Sequence, residues 1–246
     1  MIDNNRANLL IVIPTYNAKV SIIKVVSEII KEMPNVKIVI VDDNSPDQTA
    51  QLIKNKFGSN FRVKLIIRRH KGGRGSAVID GFKEGLEHKN FKFFIEMDAD
   101  FAHNPKDIQR LIQEAKKFDV VVASRYLNRS QIVRWGLKRR LISRFANLWI
   151  KLMLGISLSD NTSGFRCYNR SVIEAVDFDL IKSRGFIVLT EIAYQIHKYG
   201  FRFGEIPINF TPVDFNKSNL NIKEVKEAFF TVLRLKINSF LKFDFK

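Results

Sequence analysis

The sequence predicts an α/β protein with a mostly parallel central sheet flanked by helices. Three features carry that expectation. Short runs of β-branched and aliphatic residues alternate with stretches of helical periodicity from Leu9 to Ser124. Each apolar run stops abruptly in a polar loop, as happens where strands buried on both faces end together at one edge of a sheet. The chain, at 246 residues with 46% hydrophobic content, is long enough to bury a substantial core.

Leu9 to Ile13 forms the first strand, stopped by Pro14-Thr15-Tyr16-Asn17. Ile22, Val25, Val26, Ile29 and Ile30 share one face of a helix over 21–32, ended by Met33-Pro34-Asn35. Val36 to Val41 is a second strand that runs into Asp42-Asp43-Asn44-Ser45-Pro46-Asp47, with a helix over 48–56 behind it. Val63 to Ile67 is a third strand, followed by His70-Lys71-Gly72-Gly73-Arg74-Gly75 and a helix over 76–87. Phe94-Ile95-Glu96-Met97 is a fourth, a helix follows Pro105 to Lys117, and Val120 to Ser124 is a fifth. Parallel strands joined this way require right-handed crossovers. Phe203 to Phe210 contains Pro207 and reads as a short edge strand, because proline cannot donate to a central ladder.

The loops after these strands carry the polar chemistry, and all of them emerge on one edge. The glycine loop has neither Walker A spacing nor Gly-x-Gly-x-x-Gly, which sets aside P-loop nucleotidases and Rossmann dehydrogenases. Its glycines suit a tight turn, and Lys71 or Arg74 is placed to approach a phosphate. The fourth strand ends in Asp98-Ala99-Asp100. Two hard oxygen donors at that edge suit a divalent cation that keeps water and bridges a diphosphate; a solvated turn capping the next helix is the other reading.

A single cysteine, Cys167, excludes an internal disulfide and fits a reducing compartment. Met1 to Asn8 shows no signal-peptide pattern, and no apolar run reaches the ~18 residues of a spanning helix. The net charge of +16 asks for an anionic partner: nucleic acid, lipid headgroups or a phosphorylated substrate. No interleaving of aromatics and glycines typical of single-stranded RNA binding is present, so nucleic acid is not expected.

The second half is organised around a basic amphipathic helix over 137–154. Leu137, Leu141, Phe145, Leu148 and Leu152 form one stripe, and Lys138, Arg139, Arg140 and Arg144 cluster in the first half. Such a helix either lies on an anionic bilayer or turns its stripe into the core with a solvated basic face. Val225 to Lys246 repeats the theme with Phe229, Phe230, Ile237 and Phe240 among lysines and an arginine. Glu191 is a lone acid on an apolar helix, a buried paired group or a site acid. These features divide the chain into 1–212 and a basic amphipathic extension over 213–246.

Several stretches together resemble a known family. They are Pro14-Thr15-Tyr16-Asn17, Val41 to Asp47, Lys71-x-Gly73-x-Gly75-x-Ala77, Met97 to Asp100, Ser124-Arg125-Tyr126, Lys138-Arg139 with Ile142-Ser143-Arg144 and Ala146-Asn147, Thr162-x-Gly164-Phe165-Arg166, and Gly204 to Pro207. In this order and spacing the chain resembles the inverting glycosyltransferases of family 2, from Leu10 to Glu224. Within them it is most similar to the polyprenol-phosphate sugar synthases of the dolichol-phosphate mannose type, in the short form without transmembrane helices. The resemblance implies the GT-A fold and a nucleotide-sugar donor, most simply GDP-mannose. It implies a polyprenyl or dolichyl phosphate acceptor, and a peripheral place on the cytoplasmic face of a membrane, with small membrane-anchored subunits as further partners.

It also implies roles. Pro14, Tyr16, Val41 and Asp43 would line the base and ribose pocket. Asp98, Ala99 and Asp100 would meet the donor diphosphate, the carboxylates holding Mg2+ or Mn2+, and Arg125, Arg139 and Ser143 would hold the acceptor phosphate. The chain departs from the family at Ala18, Ala102, Val213 and Asn219, with Lys217 a substitute for a lost charge. These departures bear on the donor, so a UDP-glucose or UDP-N-acetylhexosamine enzyme with a lipid-phosphate or hydroxyl acceptor is the alternative. A non-catalytic basic membrane-binding module is the alternative of another class.

Overall fold

The computed structural model describes residues 8–133, 135–211 and 222–241. Strands and helices alternate through β1 (Leu9–Thr15), α1 (Ile22–Glu32), β2 (Val36–Asp42), α2 (Thr49–Phe57), β3 (Val63–Ile67), α3 (Arg74–Leu86), β4 (Phe93–Glu96), α4 (Asp107–Glu114) and β5 (Val120–Ser124). The second half adds β6 (Gln131–Ile132), α5 (Leu137–Leu154), β7 (Arg166–Asn169), α6 (Arg170–Ala175), α7 (Val188–Lys198), β8 (Phe203–Pro207), β9 (Asn209–Phe210) and α8 (Ile222–Leu241). Seven strands form one sheet in the order β3-β2-β1-β4-β7-β5-β8, and β6 and β9 pair separately.

β1 and β2 run in register from Leu9 opposite Val36 to Thr15 opposite Asp42. β1 is buried along its whole length, which explains its near-continuous apolar sequence. Its alternate side chains divide between two core layers. Leu9, Ile11 and Ile13 face the layer built on α1, α2 and α4, whereas Leu10 and Val12 face the layer built on α3, α6 and α7. Pro14 is tolerated at the end of this strand because pairing to β4 has already stopped at Val12, opposite Glu96.

The principal departure from the anticipated order is β7, which lies antiparallel between β4 and β5. Nothing in the periodicity announces it: it has four residues and begins with a charge. Arg166 is nonetheless fully buried, because its guanidinium donates to the carbonyls of Ser163 (2.8 Å), Leu189 (3.2 Å) and Asn161 (2.6 Å). The stretch expected as one edge strand over 203–210 is indeed at the sheet edge, but it divides at Ile208. There the backbone leaves β5 to pair β9 with β6.

The boundary expected near residue 212, together with Val213, Lys217 and Asn219, lies outside the described residues. Beyond it α8 packs along α5, with Val232 buried in the second core layer. Arg234 of α8 pairs with Glu191 of α7, and Ser183 and Thr231 share a hydrogen bond of 3.2 Å. Glu191 is therefore a buried, paired acid.

Candidate active site

The carboxyl ends of β1, β2, β3 and β4 meet around a cavity of about 570 Å3. Its wall is made by the turn after β1, from Pro14 to Ser21, by Arg74 and Ala77 of α3, and by Asp98, Ala99 and Asp100. Tyr16 presents a partly exposed ring, and the Lys71 ammonium stands 3.6 Å from its centroid. The loop after β2 is stiffened internally. Asp42 accepts from the Ser45 amide (2.9 Å) and hydroxyl (2.7 Å), and Asp47 accepts from the Thr49 amide at 3.0 Å. Asp43 accepts from the amides of Gly72 and Gly73, both at 2.7 Å, and from Arg68 at 3.0 Å. Gly73 has φ +96°, and a Cβ there would stand 2.6 Å from the Arg184 carbonyl oxygen, so this turn requires glycine.

Arg74, the first residue of α3, fastens the glycine loop to the end of β4. Its Nε donates to Asp98 Oδ1 (2.8 Å), Nη1 to Glu96 Oε2 (3.2 Å) and Nη2 to the Gly164 carbonyl (3.1 Å). Tyr168 donates to the other Glu96 oxygen at 2.7 Å. Burial pushes the Asp98 carboxyl upward, but the Arg74 charge and hydrogen bond outweigh it and hold Asp98 below the usual carboxylate range. Asp100 behaves oppositely. Its side chain stands at the exposed rim, yet desolvation by the surrounding cleft and the neighbouring Asp98 charge push it up to about 6, against the Ala102 amide that donates to Oδ1 at 3.0 Å. His103 Nδ1 accepts from the Asp98 amide (3.2 Å), which leaves the proton on Nε2, 3.9 Å from Asp98 Oδ2. Burial holds this imidazole down to about 4, so it is neutral at physiological pH.

Beside the carboxylates, β5 delivers Arg125. Asp160 Oδ2 accepts from its Nε (2.7 Å) and backbone amide (3.0 Å), Asp160 Oδ1 accepts from its Nη2 (2.7 Å), and Thr162 Oγ1 accepts from Nη2 (2.7 Å). Glu205 of β8 holds the loop that carries Asp160, accepting from the Ser159 amide (2.9 Å), the Ser159 hydroxyl (2.7 Å) and the Asp160 amide (3.2 Å). Arg139 of α5 lies with its guanidinium carbon 4.1 Å from the Trp135 ring centroid, and that of Arg125 is 5.2 Å from the same ring. Ser143, one turn further along α5, accepts from the Tyr126 hydroxyl at 2.6 Å. Arg125, Arg139 and Ser143 are thus gathered around Tyr126 and Trp135. Phe210 links this cluster to the aspartates: its ring centroid is 5.3 Å from the Arg125 guanidinium carbon and 5.8 Å from the ring centroid of His103, whose Nδ1 accepts from the Asp98 amide.

A family model described as glycosyl transferase family 2 matches residues 10–177. The chain belongs to this family. It is 32% identical over 226 residues to an undecaprenyl-phosphate mannosyltransferase of Micrococcus luteus, covering 92% of this chain and 93% of that protein. It is 32% identical over 225 residues to a polyprenol monophosphomannose synthase of Mycolicibacterium smegmatis, covering 91% of this chain and 84% of that one. Among solved structures it is similar to glucosyl-3-phosphoglycerate synthase from Mycobacterium tuberculosis in complex with Mn2+, uridine diphosphate and glucosyl-3-phosphoglycerate. That match has a TM-score of 0.67 and 15% identity over 94% of this chain and 79% of that one. The same enzyme with Mg2+ and uridine diphosphate gives 0.66. The fold of this glycosyltransferase is accordingly GT-A.

Of the positions singled out in the sequence, Pro14, Tyr16, Asp98, Ala99 and Asp100 lie together on the cavity wall. Val41 does not: its side chain is buried in the second core layer. Asp43 is 3% exposed and committed to the glycine loop. Ala18 lines the cavity, and Ala102 is buried. Sequence reasoning passed over Glu96, His103, Trp135, Asp160 and Glu205 as parts of this constellation. For Glu96 a signal was available, a charge inside an apolar strand. Asp160 and Glu205 meet partners 35 and 46 residues away, which only the sheet order brings together; His103 and Trp135 lie close in sequence to Asp98 and Arg139, but no local pattern marks either one.

In α5 of this glycosyltransferase the buried residues are Asn147, Ile150 and Leu154. The stripe Leu137, Leu141, Phe145, Leu148 and Leu152 is 52% to 73% exposed, so it does not face the core. Phe229 of α8 stacks on Trp149 at 4.9 Å, and Phe230 and Ile237 extend the exposed apolar surface. Among the described residues no helix is long and apolar enough to cross a membrane.

Proposed function

We propose that this glycosyltransferase transfers mannose from GDP-mannose to the phosphate of a polyprenyl monophosphate, with inversion at the anomeric carbon. The observation that carries the reading is the adjacency of an aspartate pair, on the wall of a cavity at the carboxyl edge of the sheet, to the cluster of Arg125, Arg139 and Ser143. The two mannosyltransferase relatives named above support the sugar and the lipid. In this reading the Tyr16 turn receives the nucleoside, and Asp98, Ala99 and Asp100 receive the diphosphate. Asp43 contributes by fixing the glycine loop under Tyr16 and Lys71.

The residues fit a divalent cation. Asp98 Oδ1 and Asp100 Oδ1 are engaged by Arg74 and the Ala102 amide, and both residues line the cleft. Two carboxylates completed by phosphate oxygens and water suit Mg2+, or Mn2+ in the same role, better than an all-protein cage. Bound there, the ion supplies charge stabilisation to the departing diphosphate. Arg74 offsets the charge of Asp98 and Glu96 and fixes the Asp98 rotamer. His103 holds the Asp98 backbone and stays neutral, so it adds no charge to the site.

One bond forms, between an acceptor phosphate oxygen and the anomeric carbon, as the bond from that carbon to the nucleoside diphosphate breaks. The nucleophile is already ionised near neutral pH. No general base is needed, which agrees with the commitment of Asp160 to Arg125 and of Glu191 to Arg234. The arginines bring two anions together against their repulsion. The exposed stripe of α5, beside Lys138, Arg140 and Arg144, would rest on an anionic bilayer and present the acceptor to Arg139 and Ser143.

The test incubates purified protein with Mn2+, polyprenyl phosphate in detergent, and GDP-mannose, UDP-glucose or UDP-N-acetylglucosamine separately. Label is expected in the lipid phase from GDP-mannose, and Arg139→Ala should raise the KM for the lipid ~10-fold or more, the scale of a lost hydrogen bond to a charged group. Product from a uridine donor alone would replace the sugar, and none from any donor would end the reading.

Membrane docking makes a separate prediction. The triple variant Leu141→Ser, Phe145→Ser, Leu148→Ser should bind phosphatidylglycerol vesicles ~100-fold more weakly in cosedimentation, at ~1 kcal/mol per removed apolar side chain. Its melting temperature should not fall, because these side chains are exposed. Unaltered vesicle binding would rule out the stripe as the docking face.

A further inference from the structure

Trp135 is 8% exposed, yet its indole nitrogen has no hydrogen-bond partner among the described residues. Buried donors are nearly always satisfied, and an indole N–H can only donate. The surroundings are cationic. The Arg139 guanidinium lies 4.1 Å and that of Arg125 5.2 Å from the ring centroid, and Phe210 meets the ring edge to face at 5.4 Å. The nearest acid by pairing, Asp160, is occupied by Arg125 and Thr162. An aromatic ring attracts cations to its face and anions to its edge, where the indole N–H lies. Two guanidiniums held against one ring with an unmet donor at its edge describe a place for an oxyanion.

We propose that the Trp135 indole N–H donates to the acceptor phosphate, making Trp135 a ligand of that group beside Arg125 and Arg139. Trp135 would serve twice: its face positions Arg139, and its edge supplies a neutral donor that binds phosphate without adding charge. This rests on the reading of Arg125 and Arg139 as the acceptor-phosphate site, and the experiment separates the two.

Full-length protein carrying 15N-labelled tryptophan is titrated with farnesyl phosphate in detergent, with farnesol as the control. Trp135→Phe removes the N–H and keeps a ring for Arg139; it also assigns the Trp135 indole resonance against that of Trp149. Farnesyl phosphate, and not farnesol, should shift the Trp135 indole resonance, and Trp135→Phe should weaken farnesyl phosphate binding ~10-fold with nucleotide binding unchanged. A Trp135 resonance that stays in place while farnesyl phosphate binds would overturn the proposal, and so would a folded Trp135→Phe protein that binds it as tightly as the parent. Should Arg139→Ala then still lose binding, the acceptor site stands without Trp135. Should the parent itself not bind farnesyl phosphate, the acceptor site and the inference fall together. The resonance of the parent carries the test even if the variant does not fold.

Discussion

Asp100→Asn is expected to lower sugar transfer ~10^3-fold or more, the equivalent of several kcal/mol of charge stabilisation on the leaving group. It is also expected to make the metal-free protein more stable at neutral pH. The second expectation follows from linkage. The Asp100 carboxyl is pushed from its ordinary 3.8 up to about 6 in the folded chain, by partial desolvation in the cleft and by Asp98. A carboxyl raised in this way favours folding when protonated, so its contribution is lost as pH rises toward 6 and stays lost above. His103 acts in the opposite sense over much of the same range. Held down to about 4 from 6.5, it destabilises the fold as pH falls. The parent's own melting curve therefore mixes two opposed effects, and the difference between variant and parent isolates Asp100.

In EDTA that difference should grow from pH 4 to about 6 and level off, a window set by the ordinary and folded values of Asp100. Asp100 stands at the exposed rim, so solvent screening keeps the rise modest. Mn2+ should raise the melting temperature of the parent at pH 7 and not that of Asp100→Asn. Scanning calorimetry with EDTA and with Mn2+ checks both. A variant less stable than its parent in EDTA at pH 7 would mean that Asp100 supports the loop rather than a cation.

Part of this site could be read along the chain and part could not, for physical reasons. The strands from β1 to β5 announce themselves because both faces are buried, and their terminal loops carry the residues that distinguish the site: Tyr16, Asp98, Asp100 and Arg125. The exposed stripe on α5 was visible as a period, but the period alone could not say which way it faced; the burial of Asn147, Ile150 and Leu154 decides that. β7 was invisible because a buried arginine satisfied by carbonyls looks, in sequence, like a surface residue. Arg74 reads in the sequence as a phosphate contact, and it lines the cavity, but its fastening of Glu96 and Asp98 depends on partners 22 and 24 residues away. Val41 shows the converse. The family resemblance assigns it to the base and ribose pocket, while strand alternation turns its side chain into the core.

Asp160→Ala should destabilise the fold by ~3–5 kcal/mol, the usual consequence of stranding one partner of a buried ion pair. For a chain of this size that is a fall in melting temperature on the order of 10 °C. Asp160 is fully buried, and Arg125 is 9% exposed, so the arginine left behind could not recover its hydration without moving. Its movement is the functional point. Asp160 grips Nε and Nη2 of Arg125, and Glu205 grips the loop that carries Asp160, so the direction of the guanidinium is fixed from β8 through three residues. Replacing both members of the pair, as Arg125→Met with Asp160→Leu, should recover much of the stability, because an apolar pair of similar volume needs no counter-charge. It should not recover binding of polyprenyl phosphate. Chemical denaturation and farnesyl phosphate titration of the single and double variants separate the two roles. A double variant that is stable and still binds the phosphate would show that Arg125 and Asp160 serve the fold alone; one that is stable and does not bind would place Arg125 at the acceptor phosphate, with Asp160 as the residue that positions it.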